Sequence, residues 1–311
     1  MAADSVAEWW GDSMGTRAHL VVNVAARPLL DDAVAQLLDW NTRWTRFDDA
    51  SELAAINRAE GRPVIVSTDT ATLVALGVDA WHRTEGAFDP TVHNALVNAG
   101  YGQTFSAGPT ALGPAAAAPG ADAVDVDTTT GLVHLPKGVT LDFGGIAKGH
   151  AADLLVHRLL ERGATGAAVT IGGDTAVGGY CPFADGWPIL TEIDPSEPVA
   201  HLQQGGFCFS TTLRRRWSTA AGPAHHIIDP RTGRSADSTI TSVALASSSA
   251  ATAEVFATAS IVVGWPAARR LIETASLTGF VVTEHGERHT VGTLATTCHD
   301  GNPDSHGRHG E

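Results

Sequence analysis

Segments with a strand's period and segments with a helix's period both occur along this chain, but they do not alternate. A doubly wound parallel sheet needs strict succession, because each parallel strand is reached through a crossover helix. Here the strand-like run 18–24 is followed by several helical segments in a row, and strand-like segments crowd the second half. That order predicts an α+β fold with mixed sheets packed against helices. The 311 residues leave room for one large domain or two ordinary ones. No repeat of fixed period is present.

Asp31 and Asp32 open a helix carrying Val34, Leu37, Leu38 and Trp44. Ser51 reads as the N-cap of a short helix ending near Asn57. A longer helix follows Ser67, with Leu73, Leu76, Ala80 and Trp81 on one face, and breaks at residues 86–91. Residues 102–123 are Gly, Pro and Ala without periodicity and are expected to form a long mobile loop. Short strands are expected near 124–127, 132–135 and 139–142. After Gly144-Gly145 a helix places Ile146, His150, Leu154 and His157 on one face and stops at Gly163. Residues 166–171 read as a buried strand, followed by strands near 187–193, 206–211, 225–228 and 240–246. A small-residue helix over 249–263, one more helix and a hairpin (278–283, 288–292) complete the pattern. The expected organisation is an N-terminal extension (1–13), one large domain (14–295) and a disordered polar tail (296–311).

Acids outnumber bases 34 to 20, for a formal charge of −14. A general nucleic-acid binder needs a basic face to neutralise phosphates, so that class is disfavoured, although one small basic pocket remains compatible. Only Lys137 and Lys148 among the 20 bases are lysines, which makes each position informative. Cys181, Cys208 and Cys298 are far apart and odd in number, so neither a disulfide framework nor a cysteine zinc site is inferred. No apolar run reaches the ~18 residues of a membrane span. The first residues carry acids where a signal peptide would carry Lys or Arg, so a cytoplasmic location is expected.

Some motifs fail on context. Gly11-Asp12-Ser13-Met14-Gly15 matches G-x-S-x-G, but a nucleophile elbow needs a buried strand before it and a helix after it. Neither the dinucleotide fingerprint nor the P-loop is present. His299, His306 and His309 with Asp300 and Asp304 resemble a metal cluster, yet a solvated tail is the simpler reading.

Other segments hold. Residues 141–150 join a strand, a glycine pair and a helix start, where free N–H groups favour an anion. Lys148 sits in the first turn, where the helix dipole disfavours a cation. That points to a ligand as readily as to a solvated lysine. Phe88-Asp89-Pro90-Thr91 and Ile228-Asp229-Pro230-Arg231 echo each other. Each alone is an ordinary turn, but the second follows His225-His226 with Arg231 and Arg234 nearby, a grouping that resembles a phosphoryl site. Glu254 and Thr258 share a helix face among alanines and offer hard oxygens suited to Mg²⁺. From spacing alone, a solvent-facing Glu and a Thr bonded to its own helix are favoured.

Taken in order, these segments resemble the ApbE family, the FAD:protein FMN transferases. The resemblance rests on Met14-Gly15-Thr16, Ser51-Glu52-Leu53 with Asn57, residues 86–91, residues 142–149, Ile171-Gly172-Gly173-Asp174, residues 226–233 and the 253–259 helix. It implies a T-fold-related α+β architecture as a single large domain. It implies Mg²⁺-dependent cleavage of FAD, with FMN moving to a Ser or Thr hydroxyl of an acceptor flavoprotein and AMP leaving. By motif position Met14, Asn57, Asp89, Thr91, Lys148 and Ile227 would hold FAD. The Gly145 carbonyl, Glu254 and Thr258 would hold the metal, and His226 would be the base. Three departures stand out. Glu254 replaces the usual Asp, Thr211-Thr212-Leu213 replaces Thr-Ser-Gly and is followed by Arg214-Arg215-Arg216, and no lipoprotein signal is visible. The alternatives are a relative that binds or hydrolyses FAD without protein transfer, and a serine hydrolase using Ser13.

Overall fold

The computed structural model of the protein describes residues 6–190, 198–219 and 222–293. Eight strands form one sheet whose spatial order is the chain order. They are β1 (Val6–Ser13), β2 (Thr16–Asn23), β3 (Gly166–Ile171), β4 (Asp174–Gly179), β5 (Gly205–Thr211), β6 (Ile240–Ser247), β7 (Thr278–Thr283) and β8 (Arg288–Val291). Every neighbouring pair is antiparallel. In such a sheet alternate connections emerge at the same end. The β1–β2 turn, the β3–β4 turn and the β5–β6 connection therefore share one end, and with them Met14-Gly15, Gly172-Gly173 and His226.

The 24–165 insertion between β2 and β3 holds α1 (Leu30–Trp44), α2 (Glu52–Asn57), α3 (Thr68–Arg83), α4 (His93–Asn98) and α5 (Ala147–Glu161). It also holds a small sheet of Val64–Ile65, Leu132–His134 and Asp125–Asp127. Between β6 and β7 lie α6 (Ala250–Val263) and α7 (Ala267–Thr274). The Ser51 cap works as the sequence suggests, its Oγ accepting from Ala54 N at 2.9 Å, and Ser249, expected inside its helix, caps it instead, its Oγ accepting from Thr252 N at 3.2 Å. Strand side chains alternate between two cores. Leu20, Val22, Val169, Ile171 and Leu245 face α1, α5 and α6. Val21, Val177, Phe207 and Phe280 face the hairpin Trp187–Ile189/Ala200–Leu202. Among the described residues no helix is long and apolar enough to cross a membrane.

Several expectations are corrected. Residues 6–13 are not an extension but the edge strand β1, in full register with β2. Its half-buried alternation reads as polar, because Glu8 and Trp10 are spent on His19, the former at 2.8 Å and the latter as a stacked ring 3.6 Å away. Residues 139–142 do not form a strand. The Leu141 backbone is satisfied by the Asn57 amide, which accepts at 2.7 Å and donates at 2.8 Å. The buried face of α5 includes Ala151, Ala152, Leu155 and Leu159 with His150, while His157 turns outward to Glu161. The 225–228 segment splits into Gly222–His225 and Ile228–Asp229. β4 and α4 had no counterpart in the sequence reading. The 102–123 segment is irregular apart from a short 3₁₀ turn at Phe105–Ala107, but it is tied down. Ala118 N donates to Pro230 O at 2.7 Å and Gly120 N to Thr91 Oγ1 at 3.1 Å, which stitches the two Asp-Pro turns together. The polar tail from residue 296, with Cys298 and its histidines, lies outside the described residues.

Helices α5 and α6 approach closely because small residues line their contact. A Cβ on Gly149 would stand 2.5 Å from the Ala250 carbonyl oxygen. Gly149→Ala should therefore destabilise the protein by about 1–3 kcal/mol, the usual cost of overpacking, despite alanine's better helix propensity. Urea unfolding that shows a Gly149→Ala variant as stable as the parent would contradict this packing.

Candidate active site

The β1–β2 connection is a two-residue turn with Met14 at φ 51° and Gly15 at φ 70°, the left-handed pair of a type I′ hairpin. Methionine is unusual there, and its N–H is held by Asn41 Oδ1 at 2.7 Å. The Met14 side chain packs against the main core. Ser13 is buried in β1, opposite Thr16, and a turn and strand follow it rather than a helix. The elbow geometry is absent.

The 141–149 segment is positioned from several sides. Asn57 spends both ends of its amide on Leu141, so it braces this segment from beneath. Asp142 accepts from Gly144 N at 2.8 Å and pairs with Arg46 Nε at 2.8 Å. Its N–H donates to Pro90 O at 2.8 Å. That bond docks the first Asp-Pro turn, in which buried Asp89 accepts from Thr91 N (2.7 Å) and Thr91 Oγ1 (2.6 Å). Burial pushes the Asp89 carboxyl upward, against the Thr91 hydrogen bonds. Phe88 closes over Gly145, where a Cβ would meet its ring at 3.1 Å.

Helix α5 begins without a capping side chain. Its Gly149 N–H is taken by Glu254 Oε2 at 2.9 Å. Lys148 Nζ lies 2.9 Å from Asp174 Oδ2, contacts Glu254 Oε1 and donates to Gly144 O at 3.2 Å. The Lys148 side chain is 16% exposed, and those of Asp174 and Glu254 only 3% and 2%. Burial pulls the Lys148 pKa down, but the two carboxylates outweigh it and the net shift is upward. Burial, reinforced by Asp174, lifts Glu254 to about 8, with Lys148 opposing. Two acids thus face one ammonium. Beside them the Gly145 carbonyl accepts no hydrogen bond among the described residues, and a Cβ on Gly145 would lie 3.4 Å from Thr258 Oγ1.

His226 follows the ribbon Arg216–Thr219/Gly222–His225 and is half-buried. Burial first, then the charges of Arg215, His225 and Lys148, lower its pKa to about 3. Its ring hydrogen-bonds the Arg214 backbone, while Nδ1 is buried with no partner. His225 is structural: its ring meets Ala236 O at 3.1 Å and accepts from Ile227 N at 3.3 Å. The main chain of Ile227 is thereby occupied, with its carbonyl accepting from Ala236 N, and its side chain is in the core. Arg231 does not join the site, because it makes a two-pronged pair with Asp229 (2.9 and 2.8 Å) at the surface.

Lys148, Glu254, Thr258 and Gly145 are therefore brought together at the start of α5, with Asp89 and Thr91 beside them and His226 within reach of the Lys148 charge. The sequence reading assigned no role to Asp174, Arg46 or Asp142. A near-absence of lysines was the available signal, since a largely buried ammonium demands carboxylate partners. A separate cleft of about 740 Å³ opens among α3, α5, the start of α6 and β4. Within it Asp153 caps α6 through Ala250 N (2.8 Å) and Ala251 N (3.0 Å), and Arg83 pairs with Asp79, while His150 Nε2 is buried without a partner.

The fold and site define an antiparallel-sheet α+β protein whose functional end presents a lysine, two carboxylates and a neutral histidine. The family model described as "ApbE family" matches residues 14–281, and the chain belongs to that family. It is 28% identical to a FAD:protein FMN transferase of Vibrio cholerae over 275 residues, covering 82% of this chain and 80% of that protein. It is 25% identical to the protein of the same name from Haemophilus influenzae over 293 residues, covering 88% and 85%. The ApbE protein of Thermotoga maritima superposes with a TM-score of 0.79 at 24% identity, covering 92% of this chain and 97% of that one. The apo flavinyl transferase ApbE of Pseudomonas stutzeri gives 0.79 at 24%, covering 94% and 95%.

With its pKa held near 3, His226 stays neutral through the physiological range. Its imidazole NMR resonances in the free protein should not titrate between pH 8 and about pH 5, well above that value. A midpoint above pH 6 would contradict the burial described.

Proposed function

We propose that this chain is a FAD:protein FMN transferase acting on a Ser or Thr hydroxyl of an acceptor flavoprotein. Membership of the ApbE family and the shared name of the curated relatives support the activity. The observation that carries the chemistry is the largely buried Lys148 at the uncapped start of α5, with the unpartnered Nδ1 of neutral His226 nearby.

Breaking a diphosphate chiefly requires charge neutralisation and alignment. Against the opposing charge of Asp174, Lys148 and the α5 N–H groups other than that of Gly149 offer hydrogen-bond donors to the FAD diphosphate. Asp142, braced by Arg46, holds the Gly144-Gly145 turn open toward it. His226 Nδ1 takes the proton of the acceptor hydroxyl, whose oxygen attacks the FMN phosphorus. The bond between that phosphorus and the bridging oxygen breaks, and AMP departs with the bridging oxygen. A base with a pKa near 3 is weak; burial is the first cause, and the diphosphate charge beside it opposes the further lowering by Arg215 and Lys148.

The oxygens of Gly145, Glu254 and Thr258 fit a hard divalent cation. Mg²⁺ held there would supply Lewis-acid charge to the phosphate oxygens. Glu254 would share its carboxylate between that ion, Lys148 and Gly149 N.

The test incubates the protein with FAD, Mg²⁺ and a candidate acceptor domain and weighs all species. The expected products are an FMN-modified acceptor and AMP, both lost with a chelator and restored by Mg²⁺. His226→Ala should lower transfer by about 10²–10⁴-fold while FAD affinity is retained. Lys148→Ala should weaken FAD binding by at least about tenfold, as expected for a lost charge-assisted hydrogen bond. FMN and AMP appearing without adduct for every acceptor would make the protein a FAD hydrolase instead. A His226→Ala variant transferring within tenfold of the parent would remove His226 as the base.

A further inference from the structure

The Arg214-Arg215-Arg216 run follows Thr211-Thr212-Leu213 at the end of β5, and the structure separates the three residues. In the ribbon, Arg216 stands opposite His225, and Arg215 and His226 are the residues just beyond that last pair, close enough for the Arg215 charge to act on His226. Arg214 and Arg216 are exposed, whereas Arg215 is half-buried. Its backbone is in the left-handed region at φ 46°, an uncommon conformation for a bulky residue, and this ends the turn that follows β5. From there its guanidinium reaches across to the other side of the site, where Nη2 donates to the Gly15 carbonyl at 3.4 Å. That long bond is the only hydrogen bond the Arg215 side chain makes among the described residues. Asp229 is taken by Arg231, and Asp174 and Glu254 by Lys148. Arg215 is therefore a half-buried cation with donors to spare, spanning from the His226 ribbon to the Met14-Gly15 turn.

We propose that Arg215 is a diphosphate-binding residue of this site, a second cation that closes on the dinucleotide from the side opposite Lys148. A guanidinium offers planar, forked N–H groups that match two phosphate oxygens at once, which Lys148 does not. Placed beside His226, Arg215 lies on the attack side of the transferred phosphorus, whose equatorial oxygens carry charge in the transition state, so it serves cleavage as well as binding. The nature of the ligand rests on the transferase reading. The placement of a cation with spare donors near His226 does not.

The experiment titrates the full chain with three probes: FAD, riboflavin (which has no diphosphate) and inorganic pyrophosphate with Mg²⁺. Arg215→Ala should bind FAD and pyrophosphate at least tenfold more weakly than the parent and riboflavin within twofold of it. Arg215→Lys should recover part of the loss, and Arg216→Ala, the exposed neighbour, should bind all three probes like the parent. In turnover, Arg215→Ala should lower kcat as well as raise KM. Arg215→Gln, which keeps donors without charge, repeats the comparison if the alanine variant unfolds. FAD and pyrophosphate affinities within threefold of the parent, or equal losses for FAD and riboflavin, would overturn the proposal. A parent protein that binds pyrophosphate through Arg215 yet transfers no FMN would refute the transferase reading and leave Arg215 in place.

Discussion

The structure turns on one largely buried ammonium. Lys148 contacts Asp174 at the start of β4 and Glu254 one turn into α6, and it sits itself in the first turn of α5. Three elements distant in sequence are held in register by one cation. Burying charges is unfavourable unless each is paired and hydrogen-bonded, and here the Glu254 carboxylate is satisfied on both sides, by Lys148 and by Gly149 N. Removing the lysine would leave two acids facing each other in a site that excludes water. The group that steadies α5 against α6 is also the one proposed to meet the ligand, which would couple folding to the proposed function.

The sheet explains why the remaining parts meet there. Spatial order equals chain order with antiparallel pairing, so alternate connections return to one end. Met14-Gly15, Gly172-Gly173-Asp174 and the ribbon bearing His226 are successive connections at that end. Helix α5 runs antiparallel to β3, and its N-terminus arrives at the same place. The long 24–165 insertion then supplies the lateral wall: Asn57 grips Leu141, Pro90 O receives Asp142 N, and the 102–123 segment ties Thr91 to Pro230.

Much of this was legible in the sequence where local chemistry decides. Ser51 caps the helix it precedes, the α3 helix follows Ser67, and the buried strand 166–171 reads directly from its apolar run. What escaped was decided by distant partners. β1 is polar enough to pass for a tail until β2 is beside it. Leu141 looks like part of a strand, but its hydrogen bonds go to a side chain 84 residues away. The 102–123 segment lacks periodicity, yet backbone bonds to remote turns hold it. At the site, spacing alone favoured an exposed Glu254, whereas it is buried against Lys148. Asp174 appeared only as the end of a glycine turn, because nothing local shows that a lysine 26 residues earlier needs it. Arg231 looked like a phosphate ligand, but its neighbour Asp229 captures it.

The central claim is that a dinucleotide places its diphosphate at the start of α5, and a crystal structure of the FAD complex tests it most directly. The account predicts phosphate oxygens within hydrogen-bond distance, about 2.7–3.2 Å, of Lys148 Nζ, with the attack face of the flavin-side phosphorus turned toward His226. A flavin dinucleotide lodged instead in the cleft lined by Arg83, His157 and Ser249, with Lys148 still enclosed by Asp174 and Glu254, would contradict it.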